Sequence, residues 1–172
     1  MNNIDRCICA ASLLIALVAL TGPSLAQAPR VERLEVIRAG FFVYDPAGAR
    51  NDQPDAVGGI VIRPTEMRFL AETPAVTASK GTSFGVRFLV VGEPRGADAT
   101  FRSVWKIPPP GITDPRSGKT YRESAAEFTT QIGTAYLDGY GFNESWEIIK
   151  GTWIQQIWHG DRMLLERSFV IR

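Results

Sequence analysis

Residue types that commonly carry out chemistry are scarce in this sequence. Its one histidine, His159, stands two positions before Asp161, and its two cysteines are Cys7 and Cys9. A metal site needs three or four converging ligands, and no second histidine is present to help build one. We therefore predict that His159 is an exposed turn residue and that the protein uses neither a metal nor another cofactor.

One pentapeptide matches a nucleophile motif. The segment Gly81–Gly85, G-T-S-F-G, fits G-x-S-x-G, in which a strand-to-helix turn lifts the serine toward a histidine base. Here an alternating apolar segment follows, so we interpret the motif as a turn that enters a strand. The 18 aspartates and glutamates include no two that the pattern marks as the pair needed for glycoside hydrolysis. The sequence therefore assigns no catalytic residue.

The loop Asp45–Asp55 contains three aspartates and several turn-forming residues. Calcium binds oxygen ligands in such loops, but the position-specific pattern of an EF-hand is missing. We interpret the segment as a solvated loop, and whether it binds calcium stays open at this point.

The first 26 residues are typical of a secretory signal peptide. Arg6 precedes an apolar run from about Cys7 to Leu20, a Gly-Pro break and then small residues. Cleavage after Ala26 is preferred to cleavage after Ala28, because Pro29 would directly follow the second site. The expected product is a single domain over residues 27–172, periplasmic or secreted, without cysteine and without an integral membrane segment.

The charge balance limits the class of partner. The chain has 19 lysines and arginines against 18 aspartates and glutamates, a net charge of +1. Removing residues 1–26 takes away Arg6 and Asp5 and leaves that charge unchanged. Nucleic acid is therefore not expected as a partner, since phosphate binding needs a basic excess or stripe.

Short apolar runs between glycines and prolines predict an all-β protein, because no helical period is sustained. The predicted strands are Val31–Tyr44, Thr65–Thr73, a central strand over Phe84–Val91, a strand from Ala99 that stops at Pro108, Phe128–Leu137 after a helical turn at Ser124–Glu127, Ser145–Lys150 and two closing runs. About seven or eight such strands predict an antiparallel, immunoglobulin-like β-sandwich. Trp105, on the strand after the central one, is the expected core tryptophan.

The closing hairpin can be given a register from the sorting of its side chains. A three-residue loop, Gly160–Arg162, places Trp153 opposite Phe169 in one apolar face, whereas a two-residue loop mixes polar and apolar residues on both faces. The sorting favours the longer loop, although Arg162 then stands where glycine is preferred. The predicted pairs include Ile157 with Leu165, Gln155 with Arg167, Gln156 with Glu166, His159 with Met163, and Trp158 with Leu164.

The pair Trp158 and Leu164 is predicted to lie on the outer face, near the loop. With His159 and Asp161 it forms the expected contact surface for a ligand or partner, because tryptophan is enriched among residues that dominate binding energy. The alternative is that another segment covers Trp158 and makes it part of the core.

Several aromatic and glycine positions resemble a family of short exported bacterial β-rich proteins that is classed as a domain of unknown function. The residues that carry this resemblance are Gly40, Phe42, Tyr44, Asp45, Trp146, Glu147, Gly151, Trp153, Trp158, Gly160, Leu164, Glu166 and Phe169. The resemblance covers most of the mature chain and implies a bacterial envelope setting. It implies no catalytic residues.

We expect a non-catalytic binding or interaction module of the bacterial envelope. Its partner would be a protein, an envelope polymer or a small ligand. The alternatives are a periplasmic hydrolase with carboxylate chemistry and an accessory subunit of an envelope assembly. A deep pocket with a carboxylate of raised pKa would favour the enzyme. A shallow aromatic patch would favour the binding module, and conspicuous strand edges would favour the assembly subunit.

Overall fold

Two sheets packed face to face form the body of the protein in the computed structural model, which describes residues 28–44, 48–64 and 66–172. The strands are β1 (Arg30–Tyr44), β2 (Ala49–Asp52), β3 (Ile60–Arg63), β4 (Met67–Ala71), β5 (Ala75–Val76), β6 (Ser83–Glu93), β7 (Asp98–Lys106), β8 (Ile112–Thr113), β9 (Thr120–Tyr121), β10 (Glu123–Gln131), β11 (Ala135–Gly141), β12 (Gly151–His159) and β13 (Arg162–Ile171). Two 3₁₀ turns span Val57–Gly59 and Ser145–Glu147. The predicted signal peptide and Asp45 lie outside the described residues.

The strand connectivity is that of an immunoglobulin-like sandwich, as the sequence predicted. One sheet has the order β11-β6-β1-β4 and the other β10-β7-β12-β13-β5. Strands β1, β6 and β11 take the places of strands A, B and E, while β7, β12 and β13 take those of C, F and G. All sandwich pairings are antiparallel except that of β5 with β13. Eight of these strands have five or more residues, and β5 has two.

The core lies between the sheets and is built on β6. Phe84, Val86, Phe88 and Val90 alternate along this strand and are fully buried, because β6 lies between β1 and β11 as predicted for a central strand. The rings around Phe84 are Trp105 at 5.2 Å, Phe142 and Phe169 at 5.4 Å, and Trp153 at 5.7 Å between centroids. Trp105 is therefore a core residue, which confirms its prediction.

The closing hairpin combines both registers that the sequence allowed. Trp153 lies opposite Phe169 and Ile157 opposite Leu165, as predicted from the three-residue loop. A register shift follows Ile157, so Trp158 lies opposite Met163 and His159 opposite Arg162. The predicted partners Leu164 for Trp158 and Met163 for His159 are wrong, because a β-bulge at Leu164 absorbs the extra residue. The loop itself is the two-residue turn Gly160–Asp161, with a positive φ of 55° at Gly160.

The segment around Ser124 is a strand, and the predicted helical turn there is wrong. Strand β10 pairs with β7 along its whole length, and Gly133 then turns the chain into β11. The hydroxyl of Ser124 accepts a hydrogen bond from the backbone N–H of Val57 (3.0 Å). The capping residue predicted for a local helix therefore caps a 3₁₀ turn from another part of the chain.

Two further predictions of local structure are corrected. The predicted strand Ser145–Lys150 is wrong, because Ser145–Glu147 form a 3₁₀ turn and residues 148–150 have no regular secondary structure. The Glu147 carboxylate stabilises the turn by accepting hydrogen bonds from the backbone N–H groups of Asn143 and Glu144 (2.6 and 2.9 Å). The described part of the predicted loop Asp45–Asp55 contains β2, which forms a hairpin with β3. The G-T-S-F-G segment is a turn that enters β6, as predicted.

Candidate functional site

A cavity of about 390 Å³ lies at one edge of the sandwich. Its walls come from the edge strands β10 and β11, and the β2–β3 hairpin lies along the same cavity. The lining side chains that carry polar, charged or aromatic groups are Phe42, Tyr44, Asn51, Gln53, Arg63, Ser103, Trp105, Ser124, Glu127, Phe128, Tyr136, Asp138, Tyr140, Asn143 and Glu147.

The β2–β3 hairpin is attached to the outer edge of β10. The amide side chain of Gln53 accepts a hydrogen bond from the backbone N–H of Glu127 (3.2 Å) and donates one to its carbonyl (3.5 Å). The backbone N–H of Ala125 donates to the carbonyl of Asp55 (3.0 Å). These contacts satisfy backbone groups that an edge strand would otherwise leave to solvent, and they hold the hairpin against the cavity.

Strand β11 lines the cavity along its whole length, and alternation places its three polar side chains on one face. Tyr136, Asp138 and Tyr140 are two residues apart, so a strand directs them to one face, and all three line the cavity. Gly139 lies between the last two. A Cβ atom at Gly139 would come within 2.6 Å of the Phe42 ring, so glycine is needed for Phe42 to pack against β11.

Two neutral side chains from β7 and β12, adjacent strands of the facing sheet, donate hydrogen bonds to the Asp138 carboxylate. Its Oδ2 accepts hydrogen bonds from the Ser103 hydroxyl (2.6 Å) and from the Gln155 side-chain N–H (2.7 Å). Gln155 also donates to the carbonyl of Asp138 (3.1 Å). The backbone of Gln155 lies opposite Arg167, as predicted, but its fully buried side chain serves Asp138. Among the described residues, no lysine, arginine or histidine forms an ion pair with this carboxylate.

Burial raises the pKa of Asp138 to about 6, although the hydrogen bonds from Ser103 and Gln155 act in the opposite direction. Desolvation disfavours the charged form of a carboxyl, and no lysine, arginine or histidine in the described part of the chain pairs with Asp138 to compensate for it. The carboxyl group of Asp138 is therefore partly protonated near pH 6, whereas an exposed aspartate is almost fully ionised there.

Aromatic rings form the walls next to Asp138. Phe128 and Tyr136 stack with centroids 4.4 Å apart and an interplanar angle of 2°. Tyr140 packs 6.0 Å from Trp105. Burial raises the pKa of Tyr136 to about 12 and that of Tyr140 well above its usual value. Both phenols are consequently neutral hydrogen-bonding groups over the physiological range.

A second carboxyl group, Glu147, lies among the residues that line the same cavity. Burial raises the pKa of Glu147, while the backbone N–H groups of Glu144 and Asn143 oppose that change. The Tyr44 hydroxyl donates to the side-chain oxygen of Asn143 (2.7 Å). Glu147 is thus committed to holding its own loop, whereas Asp138 is held only by side chains.

Asn51 adds an unpaired donor to the cavity wall. Its side-chain nitrogen is buried and has no hydrogen-bond partner among the described residues. A buried donor without a partner costs about 1–3 kcal/mol. A polar group of a bound molecule that accepts this hydrogen bond would remove that cost.

The predicted contact residues lie away from this cavity. Trp158 is half-buried, and its indole N–H donates to Gln156 (3.3 Å). Leu164 is half-buried against the core, and Asp161 is exposed at the turn. His159 is half-buried rather than exposed, because its ring packs 5.3 Å from Phe101 and its Nδ1 lies 2.9 Å from the Thr100 carbonyl. The predicted role of these four residues in binding stays a prediction.

The cavity residues were missed in the sequence, although one signal marks them. The segment A-Y-L-D-G-Y-G places an aspartate between two tyrosines with the spacing of one strand face. An acidic residue on a core-facing position is unusual enough to indicate a site. The prediction ended the strand at Leu137, so Asp138 was left outside it.

Among the described residues, no three His, Cys, Asp or Glu side chains lie close enough together to bind a metal ion. These residues also include no helix that is long and apolar enough to cross a membrane. What the cavity provides instead is a proton-exchanging carboxylate within aromatic walls. This arrangement can bind a small molecule with an apolar body and one polar group. It can also exchange a proton with such a molecule.

Comparison with known proteins found similarity to solved structures. No protein-family model matches the chain, and no curated protein matches it. A crystal structure of an immunoglobulin-like protein from Pseudomonas aeruginosa covers 82% of this chain and 98% of its own, with 23% identity and a TM-score of 0.48. The connectivity described above, and not this likeness, defines the chain as an immunoglobulin-like sandwich.

Proposed function

We propose that this protein is an exported binding module of the bacterial envelope and that its ligand is a small molecule held in the cavity at the β10–β11 edge. The observation that carries the proposal is Asp138, a carboxylate positioned by Ser103 and Gln155 inside an aromatic cavity. Ligand sites are concave and largely apolar, with a few convergent polar groups and volumes of about 300–1,000 Å³. The cavity matches this description in its volume of about 390 Å³, its aromatic walls and the polar groups that converge on Asp138.

The proposal includes export, which the sequence of residues 1–26 supports. The mature protein would start at Gln27 and reside in the periplasm or outside the cell. Intact-mass measurement of protein recovered from the periplasm tests this part independently of the ligand. A mass that retains residues 1–26 would contradict processing, and a start at Pro29 would move the cleavage site.

The ligand part is tested by filling the cavity. Ala126 lies opposite Ser103 across β10 and β7 and lines the cavity, so Ala126→Phe would occupy the space next to Asp138. Thr129→Phe adds the same ring to an exposed position of the same strand and is the matched control. Each purified protein is incubated with the low-molecular-weight fraction of a periplasmic extract, desalted and denatured.

Mass spectrometry of the released molecules should show a compound retained by the wild type and by Thr129→Phe but not by Ala126→Phe. Retention by all three proteins would place the ligand outside the cavity. If no protein retains a compound, the ligand part of the proposal is contradicted.

The second candidate is a hydrolase that uses Asp138 as its acid. A cavity with a carboxyl group of raised pKa favours an enzyme, and Asp138 supplies one whose pKa is about 6. The binding function is preferred because Glu147, the other buried carboxyl of the cavity, is held by two backbone N–H groups. Chromogenic glycosides and esters test the alternative, and turnover that disappears in Asp138→Asn would establish it.

A further inference from the structure

We infer that the cavity recognises an organic cation, whose ammonium group pairs with Asp138 and whose apolar body lies between the aromatic walls. This inference rests on the proposed function and adds the chemical class of the ligand. It follows from the charges that line the cavity, from the Oδ1 atom of Asp138, which accepts no hydrogen bond from a described residue, and from the rings beside that carboxylate.

The charged groups of the cavity are mainly acidic. Asp138, Glu127 and Glu147 line it, whereas Arg63 is the one basic side chain among the described lining residues. Arg63 and Glu127 are both exposed to solvent, so their charges are screened more strongly than those of Asp138 and Glu147. The cavity therefore favours a cation over an anion.

No described lysine, arginine or histidine pairs with the half-buried carboxylate of Asp138. Ser103 and Gln155 are neutral, and both donate to the same oxygen, Oδ2. No described residue donates a hydrogen bond to Oδ1. Buried charges in proteins are normally paired, and an ammonium group of the ligand would supply the missing partner at Oδ1.

The rings on each side of Asp138 suit the same group. Two residues along a strand span about 6.6 Å, so Tyr136 and Tyr140 flank Asp138 at a distance that a bound ammonium can bridge. The face of an aromatic ring attracts a cation within about 6 Å of its centroid. A carboxylate flanked by aromatic rings thus offers both an ion pair and cation–π contacts.

Binding of a cation should depend on pH, because the ammonium requires the ionised form of Asp138. The charged and titratable groups that line the cavity with Asp138 are Tyr44, Arg63, Glu127, Tyr136, Tyr140 and Glu147, while β7 and β12 present the neutral Ser103 and Gln155. The three tyrosines stay neutral between pH 5 and 8 since burial raises the pKa of each. Burial raises the pKa of Glu147 as well, so the comparison with Asp138→Asn assigns the pH dependence to Asp138.

The test compares three probes of one shape with the mature chain by ligand-observed NMR at millimolar concentration. The probes are 2-phenylethylamine, 2-phenylethanol and 3-phenylpropionate. At pH 8 the amine should bind about tenfold or more tightly than the alcohol, as a desolvated cation contact allows. The carboxylate should bind more weakly than the alcohol.

The variants assign this preference to Asp138. Asp138→Asn should bind the amine and the alcohol equally, whereas Glu166→Gln, which removes a carboxylate hydrogen-bonded to Gln156 outside the cavity, should keep the wild-type preference. Lowering the pH from 7 to 5 should weaken amine binding to the wild type about tenfold, since most Asp138 is then protonated.

Equal binding of amine and alcohol by the wild type overturns the inferred ligand class and leaves a ligand-binding cavity in place. A preference for the amine that survives in Asp138→Asn also overturns it. If neither probe binds and Ala126→Phe retains the same extract compounds as the wild type, both the inference and the proposed function fail.

Discussion

The two edges of the sandwich leave different backbone groups exposed and use different means to cover them. At one edge, β10 and β11 stand beside the β2–β3 hairpin, whose hydrogen bonds satisfy the backbone of β10. At the other, β4 pairs only with residues 41–44 of β1, and the preceding eleven residues have no strand on that side. The first arrangement encloses a cavity, whereas the second leaves an open strand.

Charge protects the open edge. Arg38 pairs with Glu72 (2.8 Å), and the strand also carries the pairs Arg30–Glu32 and Arg33–Glu35. Arg162 donates to the carbonyls of Val31 and Glu32 (3.2 and 2.9 Å). Charged side chains on an edge prevent pairing with another chain. This protection also explains how Val36 and Ile37, each 48% exposed, are tolerated there.

The difference shows that covering an edge and building a site can be the same structural solution. The hairpin that satisfies the backbone of β10 also borders the cavity of Asp138. At β1 a smaller cavity of about 250 Å³ contains Arg38 and Glu72, which are already paired with each other. Strand addition, which an unprotected edge would favour, is disfavoured at β1 by its charges. Mutations at the two edges should therefore have different consequences.

The largest expected difference concerns Phe128. Phe128→Ala removes a ring stacked between Phe101 and Tyr136 at the closed edge and should lower the free energy of unfolding by about 3–5 kcal/mol. Val36→Ala at the open edge should change it by less than about 0.5 kcal/mol. Urea denaturation measures both, and similar losses would contradict the distinction between the two edges.

Asp138→Asn should stabilise the protein at high pH. The pKa of Asp138 is about 6 in the fold and near 4 in an unfolded chain. The folded chain holds the proton more tightly, so the free energy of unfolding of the wild type falls as pH rises from about 4 to 6. The variant lacks this loss and should be about 1–3 kcal/mol more stable at pH 8.

Near pH 4 the two proteins should be equally stable, because Asp138 is then neutral in the wild type. Glu147 contributes a change of the same sign to both proteins and cancels in the comparison. Thermal denaturation across pH 4–8 supplies the measurement. A variant less stable than the wild type at pH 8 would show that the charge of Asp138 stabilises the fold.

Gln53→Ala should loosen the hairpin without unfolding the sandwich. It removes two hydrogen bonds to the backbone of Glu127, each worth about 1 kcal/mol. Hydrogen exchange at the Glu127 amide should accelerate, while the amide of Phe88 in the core should exchange as in the wild type. Equal acceleration at both amides would mean that the hairpin and the sandwich unfold together.

The smallest effect is expected at the open edge. Arg38→Gln breaks an exposed ion pair with Glu72 and should lower stability by less than about 1 kcal/mol. Repeating the measurement in high salt checks the cause, since screening should reduce the difference further. A large, salt-independent loss would indicate that Arg38 has a role in packing.

The fold was predictable because apolar residues alternate along its strands and so mark the face of each strand that is buried. Alternation along Phe84–Val90 indicated the central strand, and the apolar face of Trp153 and Phe169 indicated the register over most of the last hairpin. The sequence failed at Ser124, where a local capping pattern suggested a helix. Pairing with β7 outweighs that local preference, and the hydroxyl instead caps a 3₁₀ turn formed 67 residues earlier.

The candidate site was not predictable to the same degree. Its donors Ser103 and Gln155 come from β7 and β12 and reach Asp138 only when the two sheets face each other. Gln155 also fitted a simpler role as the cross-strand partner of Arg167. Only the spacing of Tyr136, Asp138 and Tyr140 was visible in the sequence, and it needed the correct end of β11 to be recognised.

The β-bulge in the closing hairpin has a consequence for chain length. Leu164 is the supernumerary residue between the pairs Ile157–Leu165 and Trp158–Met163. A deletion at this codon would join two segments that are already in register, so every other backbone pair of the hairpin would be conserved. Insertions and deletions usually accumulate in loops. Here a strand contains a position where the loss of one residue would leave the backbone pairing of the hairpin unchanged.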